Sequence, residues 1–278
     1  MLSLRKPKTP VFILGCQRSG TTICQNVFLN SRQFDVFREG NRRAMTDNFR
    51  LRDDAVISKL IAGSRRPVQV FKPINDSQWA DRFLSAYERA RIIWIWRDVH
   101  DTANSAVAKW GRLHLDLVEW IGGAYADFAD RDRALVRVRE RVDYDIYAER
   151  LADDAIAMLA AWSRAGLTPH AGAAALWWLR NRLYFDLELV SDPRVLLVKY
   201  EDFVSRPQAS IQRLCEFMEA SYSPELAEGV HTGSVRKNSP PELPPIVAEP
   251  CAGLAARFEA VYQAQLARTA RVAAGAGQ

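Results

Sequence analysis

The chain is poor in the residues from which metal and redox centres are built. Among its 278 residues are only four cysteines and four histidines. Cys16, Cys24, Cys215 and Cys251 form no Cys-x-x-Cys pair and keep no metal-ligand spacing with the histidines, so no metal site is expected and the thiols read as buried and reduced. Long apolar runs are missing too. None nears the roughly 20 residues that span a bilayer, and the stretch from Met1 to Pro7 lacks the apolar centre of a leader, which points to a cytoplasmic protein with no membrane partner. Internal repeats are absent. The net charge of +5 is not gathered into a basic cluster interleaved with stacking aromatics, so nucleic acid is not an expected partner. What remains, 48% apolar and 26% charged, suits one α/β domain with a substantial core.

One stretch organises the rest. From Pro10 to Leu14 the residues are apolar; Gly15 and Gly20 bracket the polar loop Cys16-Gln17-Arg18-Ser19, and a helix-forming sequence follows from Thr22 to Leu29. Strand, glycine loop and helix make a cradle for a phosphate-like oxyanion. Inward-turned N–H groups and the helix N-terminus meet the charge, and the hydroxyls of Thr21 and Thr22 stand in the first turn. A nucleotide-hydrolysing loop reads G-x-x-x-x-G-K-[ST], but Thr21 holds the lysine position here. The cation, Arg18, precedes the second glycine.

Further along, strands are expected at 68–71, ending in Lys72, at 91–96, ending in Arg97, and at 195–199. The segment from Asn30 to Arg43 reads as a loop or short extended piece. Asp47 is a candidate cap for a helix through about Ile61, and Asp76 or Ser77 for the next. From about 111 to 189 the pattern is helical, with breaks expected at Gly122-Gly123, at Gly166 to Pro169 and at Gly172. Ser205 is placed as a cap ahead of Pro207. A last helix is expected from about Leu254 to Val272, with a disordered tail at about 273–278.

Taken together, the Gln17–Thr22 loop, Arg97 with Ser105 eight positions on, Tyr200-Glu201-Asp202 and Arg236-Lys237 resemble the sulfotransferases that use 3′-phosphoadenosine 5′-phosphosulfate (PAPS), over about residues 10–240. The resemblance implies a three-layer α/β fold with a central parallel sheet, P-loop NTPase-like, whose helical insertion at about 111–189 forms an acceptor lid. It implies that Gln17, Arg18, Ser19, Gly20, Thr21, Thr22, Arg97, Ser105, Tyr200, Arg236 and Lys237 bind PAPS and its product PAP, and that transfer needs no metal. Asn238 stands where the family has a glycine. Lys72 matches the family lysine, but Ile74 occupies the place of the base histidine in one branch. Glu39, in the segment after the first helix, is then the first choice as general base, with Arg18 and Lys72 stabilising the leaving diphosphate. Asp76 is the second choice.

A bound carboxylate at 39 has a plain alternative, an ion pair with Arg38, Arg42 or Arg43. Trp79, Trp110, Trp120, Trp177 and Trp178 either line an acceptor pocket or belong to the core. The acceptor is expected to be a small molecule or carbohydrate with a hydroxyl or amine, and a homodimer is left open. Two other readings compete: a nucleotide-binding module without catalysis, and a P-loop kinase, which Thr21 disfavours.

Overall fold

The structure, a computed structural model, describes residues 7–275 apart from 30, 142 and 143. Five strands, β1 (Thr9–Gly15), β2 (Phe34–Phe37), β3 (Val68–Phe71), β4 (Arg91–Trp96) and β5 (Val195–Lys199), form one parallel sheet in the order β2-β3-β1-β4-β5. The α-helices among the described residues are α1 (Thr21–Asn26), α2 (Asp54–Gly63), α3 (Ala80–Ala86), α4 (Val99–Trp110), α5 (Leu113–Asp127), α6 (Arg131–Arg139), α7 (Asp153–Trp162), α8 (Pro169–Asp186), α9 (Tyr200–Ser205), α10 (Pro207–Phe217) and α11 (Pro245–Gly275).

Successive strand side chains point to opposite faces, and here both faces are covered. Phe12, Leu14, Ile92, Trp94 and Trp96 enter one apolar cluster with residues of α3, α5, α7, α8 and α11. Val11, Ile13, Ile93 and Ile95 enter a second with residues of α9 and α10. Burial on both sides is why these strands read as unbroken apolar runs. The result is the P-loop-like, helix-flanked parallel sheet.

The chain runs from β1 outward to β2 and β3, then crosses to β4 on the other side of β1. The C-terminal ends of β1 and β4 therefore open side by side at the point where strand order reverses, the usual ligand crevice of such sheets.

Residues 34–37, in the segment read as a loop or short extended piece, are the extended strand β2. Other local expectations need correction. The helix expected after Asp47 begins at Asp54 instead, because Ala44 and Met45 are buried and the chain turns through a bridge between Met45 and Leu51. Neither Asp76 nor Ser77 caps α3; a 3-10 turn over Ile74–Trp79 precedes it. Gly122 and Gly123 lie within α5, and Gly172 lies within α8. Gly122 and Gly172 are places of close approach: a Cβ at Gly122 would sit 2.1 Å from the Leu159 carbonyl oxygen, and one at Gly172 would sit 2.5 Å from Leu115 Cα. Ser205 closes α9 and makes no cap, while Pro207 opens α10 as expected. The last helix starts early, at Pro245. It runs through Gly275, and residues 276–278 of the expected tail lie outside the described residues.

Candidate active site

The β1–α1 loop is shaped by two glycines with different duties. Gly15 (φ 133°) packs against β4, where a Cβ would lie 2.3 Å from the Ile95 carbonyl oxygen. Gly20 (φ 91°) lies under the ring of Tyr200, which a Cβ would meet at 2.1 Å. Arg18, between them, also takes left-handed backbone (φ 68°). Ser19 is buried, and among the described residues neither its Oγ nor Gln17 Oε1 has a hydrogen-bond partner. Buried polar atoms are rarely left unpaired, so the loop carries binding capacity that the protein itself does not use.

Three cations converge on this loop from the ends of three strands. Arg18 Nε donates to Ser105 Oγ at 3.1 Å, and its guanidinium carbon lies 5.6 Å from the Trp110 ring centre. Removal from water, and then the charge of Arg97, hold its pKa below the ordinary arginine value. Lys72 follows β3 and is 3% exposed. Its Nζ donates to Thr22 Oγ1 at 2.9 Å and pairs with Glu39 Oε2 at 3.1 Å. Burial pulls the Lys72 pKa down; Glu39 opposes that shift, and Arg18 adds to it.

Arg97 follows β4 and is also buried. One Nη donates to the Arg18 carbonyl at 3.2 Å and the other to the Ser234 carbonyl. Asp101, one turn on, lies 3.5 Å away, and the Tyr200 ring centre is 4.6 Å from the guanidinium carbon. Arg97 Nε is enclosed without a hydrogen-bond partner among the described residues. Tyr200 in turn hydrogen-bonds Ser234 through its hydroxyl, and the Arg236 N–H donates to Asp101 Oδ2 at 2.8 Å. Arg97 and Asp101 thus tie the first loop to the late one.

The site expected from sequence is largely assembled. Gln17 to Thr22, Glu39, Lys72, Arg97, Ser105 and Tyr200 gather at one end of the sheet. Arg236 is attached through its backbone N–H, while Arg236 and Lys237 are both exposed along a groove of about 840 Å³ shared with Asp98 and Glu201. Ser105 meets Arg18 rather than standing with Arg97. Glu39 pairs with Lys72, not with the neighbouring arginines; Arg42 faces Asp47 instead, at 3.5 Å.

Asp76 is otherwise occupied. It accepts from Arg50 Nε at 2.7 Å and from the Leu51 N–H at 2.6 Å, while Arg50 also holds Glu149. Burial raises its pKa against these donors, and the carboxylate serves as an internal tie. Of the tryptophans, Trp177 is core and donates to the Arg97 carbonyl at 2.9 Å, whereas Trp110 alone lies against Arg18.

A cavity of about 490 Å³ adjoins the loop. Gln17 Nε2 donates to Asn75 Oδ1 at 3.2 Å and to the Tyr147 hydroxyl at 3.1 Å, and both partners line that cavity with Phe49, Leu113, Leu117 and Ile146. Sequence reading missed Asp101, Ser234 and the imidazole of His114, which stacks on Trp110 at 5.0 Å between ring centres. Only Asp101 left a usable trace, its spacing of four from Arg97 across a helix start. Among the described residues no group of three or more histidine, cysteine or acidic side chains is placed to hold a metal ion, and no helix is long and apolar enough to cross a membrane.

No curated protein sequence matches. Among solved structures, the sulfotransferase domain from the curacin biosynthetic pathway aligns over 91% of this chain and 98% of its own, at 15% identity and a TM-score of 0.51. A sulfotransferase from Alicyclobacillus acidocaldarius aligns over 94% and 95%, at 17% identity and a TM-score of 0.50. At such identities the likeness speaks for the fold. The sequence model of the sulfotransferase domain, however, matches residues 8–238, the span from β1 to the late loop, and the chain belongs to that family.

Proposed function

We propose that the protein transfers the sulfuryl group of PAPS to a hydroxyl or amine of a small-molecule or carbohydrate acceptor. The observation that carries this reading is the meeting of Arg18, Lys72 and Arg97 around a glycine loop whose Ser19 and Gln17 oxygens and whose neighbouring Arg97 Nε are enclosed and unpaired. Like charges gathered in this way, each held against desolvation or mutual repulsion, imply an anion of several charges as the missing partner. A donor with a phosphosulfate at one end and a 3′-phosphate at the other fits.

PAPS supplies an activated sulfur whose bond to the bridging oxygen can be exchanged. The Gln17–Thr22 backbone and Arg18 would bind the phosphosulfate and offset the charge that develops on the leaving oxygen. Lys72 would assist there and hold the Glu39 carboxylate in place. Glu39 would take the acceptor proton. Arg97, packed on Tyr200, would hold the 3′-phosphate end with Arg236 and Lys237 from the late loop. Sulfuryl transfer, like phosphoryl transfer, gains mainly from alignment and charge stabilisation, so fixed cations suffice for these roles.

Thermal shift tests the reading. 3′,5′-ADP should raise the melting temperature by several degrees and ATP with magnesium should not, and labelled PAPS should lose its sulfuryl group to a member of an acceptor panel. Stabilisation by ATP alone would move the protein to another reaction; stabilisation by 3′,5′-ADP with no transfer would make it a binding module.

A further inference from the structure

His114 is a deeply placed polar group with nothing to bind. It stands in the first turn of α5 and is only 5% exposed, yet among the described residues nothing hydrogen-bonds to its ring, and Nδ1 is fully enclosed. An unpaired buried donor or acceptor is costly, and a leucine or phenylalanine would fill the same space without that cost. Its surroundings say what the imidazole serves. On one side lies Trp110, whose other neighbour is the Arg18 guanidinium, and the charge of Arg18 reaches the imidazole. Leu113, one residue before it, and Leu117, one turn later, line the 490 Å³ cavity, whose wall includes Tyr147, the partner of Gln17. His114 therefore stands between the Arg18–Trp110 pair and the two leucines of the cavity wall, a wall that is apolar at Phe49, Leu113, Leu117 and Ile146 and charged at Asp47, Arg50, Arg139 and Asp145. Burial and Arg18 together disfavour a second cation here, so the imidazole is neutral and has one N–H to give.

We propose that His114 is a catalytic residue of the acceptor end: its N–H hydrogen-bonds the nucleophilic oxygen of an alcohol or phenol whose apolar body fills the cavity lined by Phe49, Leu113, Leu117 and Ile146. This rests on the sulfotransferase reading and adds the acceptor class to it. In the step, the acceptor oxygen forms a bond to sulfur while the bond from sulfur to the bridging oxygen breaks. That electron pair leaves on the 5′-phosphate of 3′,5′-ADP, the acceptor proton passes to Glu39, and His114 keeps its own proton throughout. Phe49 and Leu113, 50% and 37% exposed, are among the few large apolar side chains left open in the described surface, and both belong to this chamber.

With four histidines in the chain, long-range proton–nitrogen spectra can follow each imidazole, and His114→Phe assigns the one that matters. In wild-type protein saturated with 3′,5′-ADP, 2-naphthol should shift the His114 ring nitrogens and leave His100, His170 and His231 in place. His114→Phe should raise the KM for 2-naphthol at least about tenfold with an unchanged 3′,5′-ADP melting shift, and His114→Asn, which keeps an N–H, should recover part of that loss. The assignment is overturned if the His114 nitrogens ignore 2-naphthol, or if Asn and Phe variants are equally impaired. Should wild-type protein show no response to 3′,5′-ADP, the donor reading falls and this assignment with it.

Discussion

The two ends of the site are built on opposite plans. At the donor end, Arg97 is buried and joined to Arg18, Asp101, Ser234 and Tyr200, and Gly20 lies directly beneath the tyrosine ring. At the proposed acceptor end, Glu39 is half-buried and has Lys72 as its ion-pair partner, His114 has no hydrogen bond among the described residues, and Phe49 is half open. The difference teaches where recognition is fixed beforehand. On the proposed reading, a donor of constant shape would be met by preorganised groups, which lose little when it binds. The acceptor would be met by unspent polar groups and a wall part apolar and part charged, which would leave its identity to the fit of the chamber.

Breaking the donor end at its most catalytic point should have the largest effect. Arg18→Ala is expected to lower sulfuryl transfer about 10³-fold with the fold retained, as measured by turnover of labelled PAPS beside circular dichroism. Arg97→Ala removes the tie between the loops and strands Asp101 in a buried position. It should cost about 3 kcal/mol in urea unfolding and weaken 3′,5′-ADP binding, with Arg97→Lys intermediate. Crossing to the acceptor end, Glu39→Gln should slow transfer about 10²-fold with little change in 3′,5′-ADP affinity; equal losses in both would assign the proton to another group.

The smallest effect sharpens the contrast through pH. Burial, then Arg18, depress the His114 pKa from 6.5 to about 4. The unfolded chain therefore takes up this proton first as pH falls, so the contribution is whole above about pH 6.5 and lost between there and pH 4. Relative to pH 8, this amounts to about 2 kcal/mol at pH 5. Followed by urea unfolding from pH 8 to pH 5, wild type should lose that amount of stability relative to His114→Phe, and a constant difference would mean the ring titrates normally.

How much of this was legible depended on distance along the chain. Strands β3, β4 and β5 were readable to the residue from their apolar runs, and the β1–α1 loop from its glycines and the place of its cation. Glu39 was chosen as the candidate base by its position after α1, but its partner was not foreseen. The register that sets Phe37 beside Phe71 brings the residues just past β2 and β3 together, and only the strand order reveals that Glu39 meets Lys72. Gly122 read as a helix break because its reason, the Leu159 carbonyl, lies 37 positions away on another helix. Asp76 looked like a cap for want of sight of Arg50. His114 gave no pattern at all, since a single imidazole on a helix has no spacing to betray it.

Gly122 and Gly172 bring α5 into backbone contact with α7 and α8, with no side chain between them to act as a bearing. The wall that carries Leu113, His114 and Leu117 is for that reason clamped from two directions and has nowhere to slide. On the proposed reading, an acceptor entering the chamber must conform to that wall, and variation in what is accepted has to come from the opposite rim, around Phe49, where turns and the bridge between Met45 and Leu51 hold the chain.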